Sequence, residues 1–231
     1  MRDTVGRVGW AVVIVLCAIV ITTGVGTVFF NEAYTPLFDL LLGGRGIAPS
    51  YLGRFVASTD ALARTALHVL PGLVWMLVVP LQFSGLRRRS LRAHRALGRI
   101  ALLCAACAAA GMLALLAMPY GTGNWELIPN LLFGSLFVIS GALGFVRIRQ
   151  KRVTEHREWM IRHVAVGMGI ALMRPVAVVA FQTGLVRGTV AQAQEFFPHL
   201  FWIGFVVSGL VAEIWINVTR AGQRGSVAAT T

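Results

Sequence analysis

Charge is what this sequence has least of. Charged residues make up 13% of its 231 positions, about half of the roughly 25% usual in a soluble domain. Only nine residues are acidic, and they form no surface cluster that would hold Mg²⁺ for prenyl or phosphoryl transfer. Three cysteines are too few for a secreted disulfide scaffold. Neither G-x-x-x-x-G-K-[ST], H-E-x-x-H nor G-x-S-x-G occurs, which sets aside a P-loop ATPase, a zincin and an α/β-hydrolase elbow. A hydrophobic share of 57% excludes disorder. What is present is long apolar runs, and they predict an all-α, polytopic transmembrane helical bundle.

Crossing about 30 Å of hydrocarbon takes about 20 mostly apolar helical residues. Six charge-poor windows qualify, at about 9–30, 65–86, 100–119, 127–146, 160–185 and 198–218. Open strands in lipid would leave backbone groups unpaired, so helices are the reading. The chain is expected to form a single transmembrane domain, with residues 31–59 as an outer loop and 219–231 as a cytoplasmic tail. Within the loop, Asp39-Leu-Leu-Leu-Gly-Gly suits a hairpin on the membrane surface or a lid. The first window is too long for a signal-peptide core and lacks an A-x-A exit, so an uncleaved first helix is expected.

The basic residues sit at alternate ends of these windows. Sixteen of the 21 Lys and Arg fall before the first span, in the loops at 87–99 and 147–162, and in the tail. By the positive-inside rule both termini are cytoplasmic. The same placement explains the net charge of +12 through anionic lipid headgroups and leaves no case for nucleic acid. A bacterial plasma membrane is the expected location.

Ionisable groups at membrane depth are costly, and they usually face the bundle interior. At 1.5 Å per residue, His68 and Arg174 fall at one level, roughly 9 Å below the outer surface, with His199 just above. A second level near the cytoplasm takes in Gln82, His163 and Glu213, with His94 and His156 just below. His156, His163 and Arg174 share one helical stripe. Gly167 and Gly169 would let a neighbouring helix or a planar cofactor approach that stripe. Pro71-Gly72 would loosen the backbone beside His68. Cys104-x-x-Cys107 has no further ligands at its depth and reads as small apolar filler.

One weak repeat is visible. His94-Arg95-x-x-x-Arg99 opens the third span, and His156-Arg157-x-x-x-x-Arg162 opens the fifth. Two duplicated hairpins or two independent positive-inside loops would both give this.

These elements in order are His68, Pro80-Leu-Gln82-Phe83, His94-Arg95-Ala-Leu-Gly98-Arg99, His156-Arg157-Glu-Trp159-Met160-Ile-Arg162, Leu172-Met-Arg174, Trp202 and Glu213. Over about residues 60–215 the pattern resembles a domain-of-unknown-function family of predicted bacterial integral membrane proteins. It departs from that pattern at His163, where a small or hydroxyl residue is expected, and at Phe205–Gly209, where an Asn is expected. The resemblance implies a fold and a residue list, and no reaction.

The leading functional expectation is a b-type haem-binding electron-transfer protein. His68 would be the prime axial ligand, His94, His156 and His163 would serve an inner site, and Arg174 would meet a propionate or a quinone. Lipid, a quinone or redox partner, and a second copy of the chain are the partners it implies. A proton-coupled transporter or channel relaying through His68, Arg174, Glu213 and His163 is the alternative. A non-catalytic assembly subunit is the third, with the polar groups only fixing helix register.

Overall fold

The computed structural model describes residues 2–29, 36, 40, 62–116, 127–186 and 189–228. Every regular element among them is a helix: α1 (Arg2–Phe29), a π-helical stretch (Leu62–Val69) running into α2 (Leu70–Phe83), the short α3 (Leu86–Arg89), α4 (Leu91–Leu116), α5 (Leu127–Arg149), α6 (Val153–Gln182) and α7 (Val190–Ala228). Among the described residues, five segments are long and apolar enough to cross a membrane: Thr65–Phe83, Leu91–Leu116, Leu127–Arg149, Val153–Gln182 and Glu195–Ala221. In α1 the apolar segment Val8–Thr23 is shorter than these. The outer-loop expectation for 31–59 lies outside the described residues, except at Pro36 and Leu40. There the Leu40 carbonyl accepts a hydrogen bond from Gln182 Nε2 at 3.2 Å. Residues 219–228, expected as tail, continue α7.

Helix α6 sits at the centre, packing against α1, α5 and α7, while α2 packs between α1 and α4. One core joins Cys17 and Val20 of α1, Trp75, Met76 and Val79 of α2, Ala101 and Ala105 of α4, and Val164, Met168 and Ala171 of α6. Cys104 packs against this core as filler. A second core joins Phe133 of α5, Val166 and Met173 of α6, and Leu200, Phe201 and Phe205 of α7. The outside is apolar too, with Leu103, Ile128, Ile214 and Val218 exposed. An apolar exterior around an interior that also holds polar side chains is the arrangement lipid demands.

Small residues set the closest approaches. A Cβ on Gly111 would lie 2.6 Å from the His68 backbone nitrogen, so only glycine lets α4 meet the π-helical stretch there. Pro71 lacks the N–H that a regular helix would direct to Leu67, and the loosening expected beside His68 takes the form of that π-helical stretch. The turn from α5 to α6 closes with Lys151 at φ 60°. Arg152 N–H bonds the Arg147 carbonyl at 2.9 Å and Lys151 N–H bonds Ile148 at 3.0 Å, a Schellman close with lysine where glycine is usual.

Candidate functional site

Helices α2 and α6 run antiparallel and face each other. His68, Trp75 and Gln82 recur every seven residues down one, and His156 and His163 do so on the other, with Arg174 farther along. Three polar levels result, about 10 Å apart at 1.5 Å per residue.

At the end away from the Arg-rich turns, His68 is half-buried and its Nδ1 lies 2.8 Å from the Ala108 carbonyl. A carbonyl only accepts, so Nδ1 carries the proton and Nε2 keeps its lone pair. Arg174 lies within electrostatic reach of His68, as one shared level requires. Its guanidinium donates to Thr23 Oγ1 at 2.7 Å and to the Ile170 carbonyl at 2.6 Å.

In the middle, His163 is 1% exposed and Trp75 is 3% exposed. His163 Nδ1–H donates to the Phe137 carbonyl at 2.9 Å, and Nε2 accepts from Trp75 Nε1–H at 3.2 Å. Phe137 stacks on the imidazole at 4.2 Å between centroids, and Trp75 meets it edge-on. Both ring nitrogens are thus committed to protein. Gly167 accommodates Trp75, since a Cβ there would lie 2.2 Å from the indole, and Gly169 accommodates Phe205. Of the two occupants expected at these notches, a neighbouring helix or a planar cofactor, it is neighbouring helices that fill them, through Trp75 and Phe205.

At the basic end, the Gln82 amide satisfies its neighbours only with its oxygen turned to the Gly98 N–H at 3.3 Å and its nitrogen turned to the His94 carbonyl, and that orientation is assigned to it on hydrogen-bonding grounds. That orientation leaves Gln82 Nε2–H donating to His94 Nδ1 at 2.8 Å, so His94 presents Nε2–H as a donor. His156 Nδ1 lies 2.8 Å from the Gly144 carbonyl, which leaves its Nε2 as an acceptor. His156, Arg87 and Arg95 all act electrostatically on His94. The Pro80-Leu-Gln82-Phe83 and His94-x-x-x-Gly98 elements therefore interlock through one amide.

One placement differs from the expected levels, and Glu213, at the level of His163 as expected, is taken up by an ion pair. His163 joins Trp75 rather than Gln82, because Gln82 lies about two turns farther along α2. Glu213 is engaged by Arg162, which donates from Nε at 2.5 Å and from Nη2 at 3.0 Å. Arg162 also lies 4.9 Å from the centre of the Trp159 ring. A second bidentate pair, Arg220 with Glu158, again joins α7 to α6. His199 is exposed and bonds its own helix at Glu195. Trp75 and Phe137 lie outside the residues that the sequence singles out. The seven-residue spacing of Trp75 from both His68 and Gln82 was the available signal for the first. Nothing in the sequence flags Phe137, whose role runs through its backbone and its ring.

A bis-histidine haem needs two free imidazole lone pairs at one level. His68 is matched only by exposed His199, His163 has no free nitrogen, and His94, with the Gln82 amide on its Nδ1, offers Nε2–H rather than a lone pair. Among the described residues no group of three or more His, Cys, Asp or Glu is placed to hold a metal ion.

A family model described as predicted membrane protein (DUF2306) matches residues 65–216. No curated protein and no solved structure matches the chain.

Proposed function

The chain belongs to the DUF2306 family of predicted membrane proteins, and from that premise we propose that it is a proton-coupled transporter of the bacterial plasma membrane. In this reading it crosses six times, α1 being the first span, and both termini are cytoplasmic. The distribution of Lys and Arg supports that orientation. The basic end of the bundle is then the inner one.

The observation that carries the reading is a pair of histidine stations at opposite ends of two facing helices. His68 and His156 each have Nδ1 anchored on a backbone carbonyl and Nε2 left to accept. Between them Trp75, His163 and Phe137 form a dry plug. Trp75 is a donor only and cannot pass a proton on. A closed plug between two stations suits alternating access better than an open channel.

The test is internal pH in pyranine-loaded proteoliposomes challenged in turn with organic acids, amino acids, sugars and phosphate. Proton movement above empty liposomes with one class, lost in His68→Leu and in His156→Leu, is expected. No proton movement with any class refutes the reading.

Electron transfer through haem b is the second reading. Anchoring Nδ1 on a carbonyl is also how ligating histidines are oriented, which favours it. The want of a second lone pair at either level weighs against it. A dithionite-reduced minus oxidised spectrum decides: a stoichiometric b-type band lost in His68→Ala would favour haem over transport.

A further inference from the structure

The stretches 87–99 and 147–162 hold six Lys and Arg each, and the fold partners them differently. In the α5–α6 turn Glu155 takes Arg147 at 3.1 Å and Arg152 at 2.5 Å. Glu155 also stands in the first turn of α6, where the helix dipole favours an acid. Glu158 and Glu213 take Arg220 and Arg162. The α3–α4 corner has no such arrangement. Arg87, Arg88, Arg89, Arg92, Arg95 and Arg99 are all exposed, and among the described residues none of them pairs with a carboxylate. The first turn of α4 holds no acid, so its dipole opposes the guanidiniums gathered there. The backbone is fixed all the same: Ser90 Oγ accepts from the Ala93 N–H at 3.2 Å, and the Ser90 N–H bonds the Leu86 carbonyl at 2.7 Å. Charge held this way calls for an anion, and no described residue supplies it.

The exposed face of α4 indicates which anion. Arg92, Arg95 and Arg99 recur at i, i+3 and i+7 and so share one side of the helix. The same side continues with Leu103, Ala106, Ala110 and Leu113, also exposed. The opposite side, with Ala101, Ala105 and Gly111, is the one buried. From Arg99 to Leu113 the helix rises about 21 Å, more than the roughly 15 Å of hydrocarbon in one leaflet. Positive charge followed by an apolar track matches a phospholipid, whose phosphate and acyl chain are joined in that order. A free phosphate has nothing to lay on the track, and an acidic peptide would have to enter hydrocarbon to use it.

We propose that this face binds one anionic phospholipid, its phosphate held by Arg92, Arg95 and Arg99 and an acyl chain laid along Leu103 to Leu113. Guanidiniums grip phosphate oxygens through paired N–H donors, so the lipid fastens the α3–α4 corner to its leaflet. The site is independent of what the bundle moves.

The probe is phosphatidylglycerol, offered to the full chain in detergent beside an equal amount of phosphatidylcholine with the same acyl chains, and bound lipid is counted by native mass spectrometry. One phosphatidylglycerol per chain is expected, in preference to phosphatidylcholine. Each near-surface arginine is worth about fivefold in binding anionic lipid, so Arg92→Gln, Arg95→Gln and Arg99→Gln together should lower the affinity roughly a hundredfold. A charge-matched control replaces Arg149, Lys151 and Arg157 with glutamine; these are exposed and outside the ion pairs among the described residues. It should lower the affinity by less than about fivefold. Equal losses in the two triple variants would mean diffuse attraction to any basic turn and overturn the site. Equal binding of the two lipids by the unaltered protein overturns it too, with no variant involved. Glycerol phosphate and an oligoglutamate peptide, each in excess, should leave the lipid bound. Displacement by the first would make phosphate alone the ligand, and displacement by the second an acidic protein segment; either overturns the lipid assignment.

Discussion

Replacing His163 with leucine keeps an apolar side chain of similar bulk but removes both ring nitrogens. Trp75 Nε1–H then has no acceptor in a site where both residues are almost wholly buried. Leaving that donor unpaired costs about 1–3 kcal/mol, and losing the bond to Phe137 adds about 0.5–1.5 kcal/mol. His163→Leu should therefore destabilise the bundle by about 2–4 kcal/mol, with a fall in Tm of about 2–4 °C for each kcal/mol. Trp75→Phe leaves Nε2 of His163 without a donor and opens space beside Gly167. In the double variant neither orphan exists, so its cost should fall short of the sum of the two. Side-chain bonds between membrane helices couple by about 0.6 kcal/mol on average and at most about 1.7, and full burial places this pair near the top of that range. Thermal unfolding in detergent of the four proteins, followed by loss of monodisperse protein, measures the cycle. Additivity within about 0.5 kcal/mol, or a His163→Leu protein as stable as the parent, would refute the assignment of His163 as the buried tie between α2, α5 and α6.

Three further outcomes follow from the same structure. Gly111→Ala places a Cβ 2.6 Å from the His68 backbone; backbone cannot yield as a side chain can, so a loss of at least about 1–3 kcal/mol is expected in detergent unfolding, and a neutral effect would show that α4 and the π-helical stretch do not meet this closely. Lys151→Gly relieves the positive φ in the α5–α6 turn and should stabilise by about 1 kcal/mol; a fall in Tm would contradict the Schellman close. Glu213→Gln weakens the bond with Arg162, half of whose partner is open to solvent (46% for the Glu213 side chain), so stability should drop by no more than about 1 kcal/mol and proton-linked uptake should persist; abolished uptake in a folded Glu213→Gln protein would restore Glu213 to the relay.

The helices were legible because lipid imposes a length and polarity rule that composition alone reveals. That His68 and Arg174 lie within electrostatic reach of each other was legible for the same reason, since depth along antiparallel helices follows from residue count. The fate of His163 was not. Its commitment depends on a carbonyl of α5 and an indole of α2, which lie 26 and 88 residues away in the chain. Gly167 marks a place of close approach in sequence and structure alike, but sequence cannot say whether an indole or a cofactor fills such a notch. Glu213 looked like a relay group because its partner Arg162 is 51 residues away. The neighbours of His94 and His156, the Gln82 amide and the Gly144 carbonyl, come from other helices, and only three-dimensional contacts reveal them.

The account turns on two stations open to opposite faces across a sealed middle. In a functional background with Cys17, Cys104 and Cys107 replaced by alanine, single cysteines at positions 68, 163 and 156 can be challenged with a membrane-impermeant maleimide from either side. The account predicts labelling of His68→Cys from the outside alone, of His156→Cys from the cytoplasmic side alone, and of His163→Cys from neither. Labelling of both end positions from one side, or of His163→Cys from any side, would contradict it.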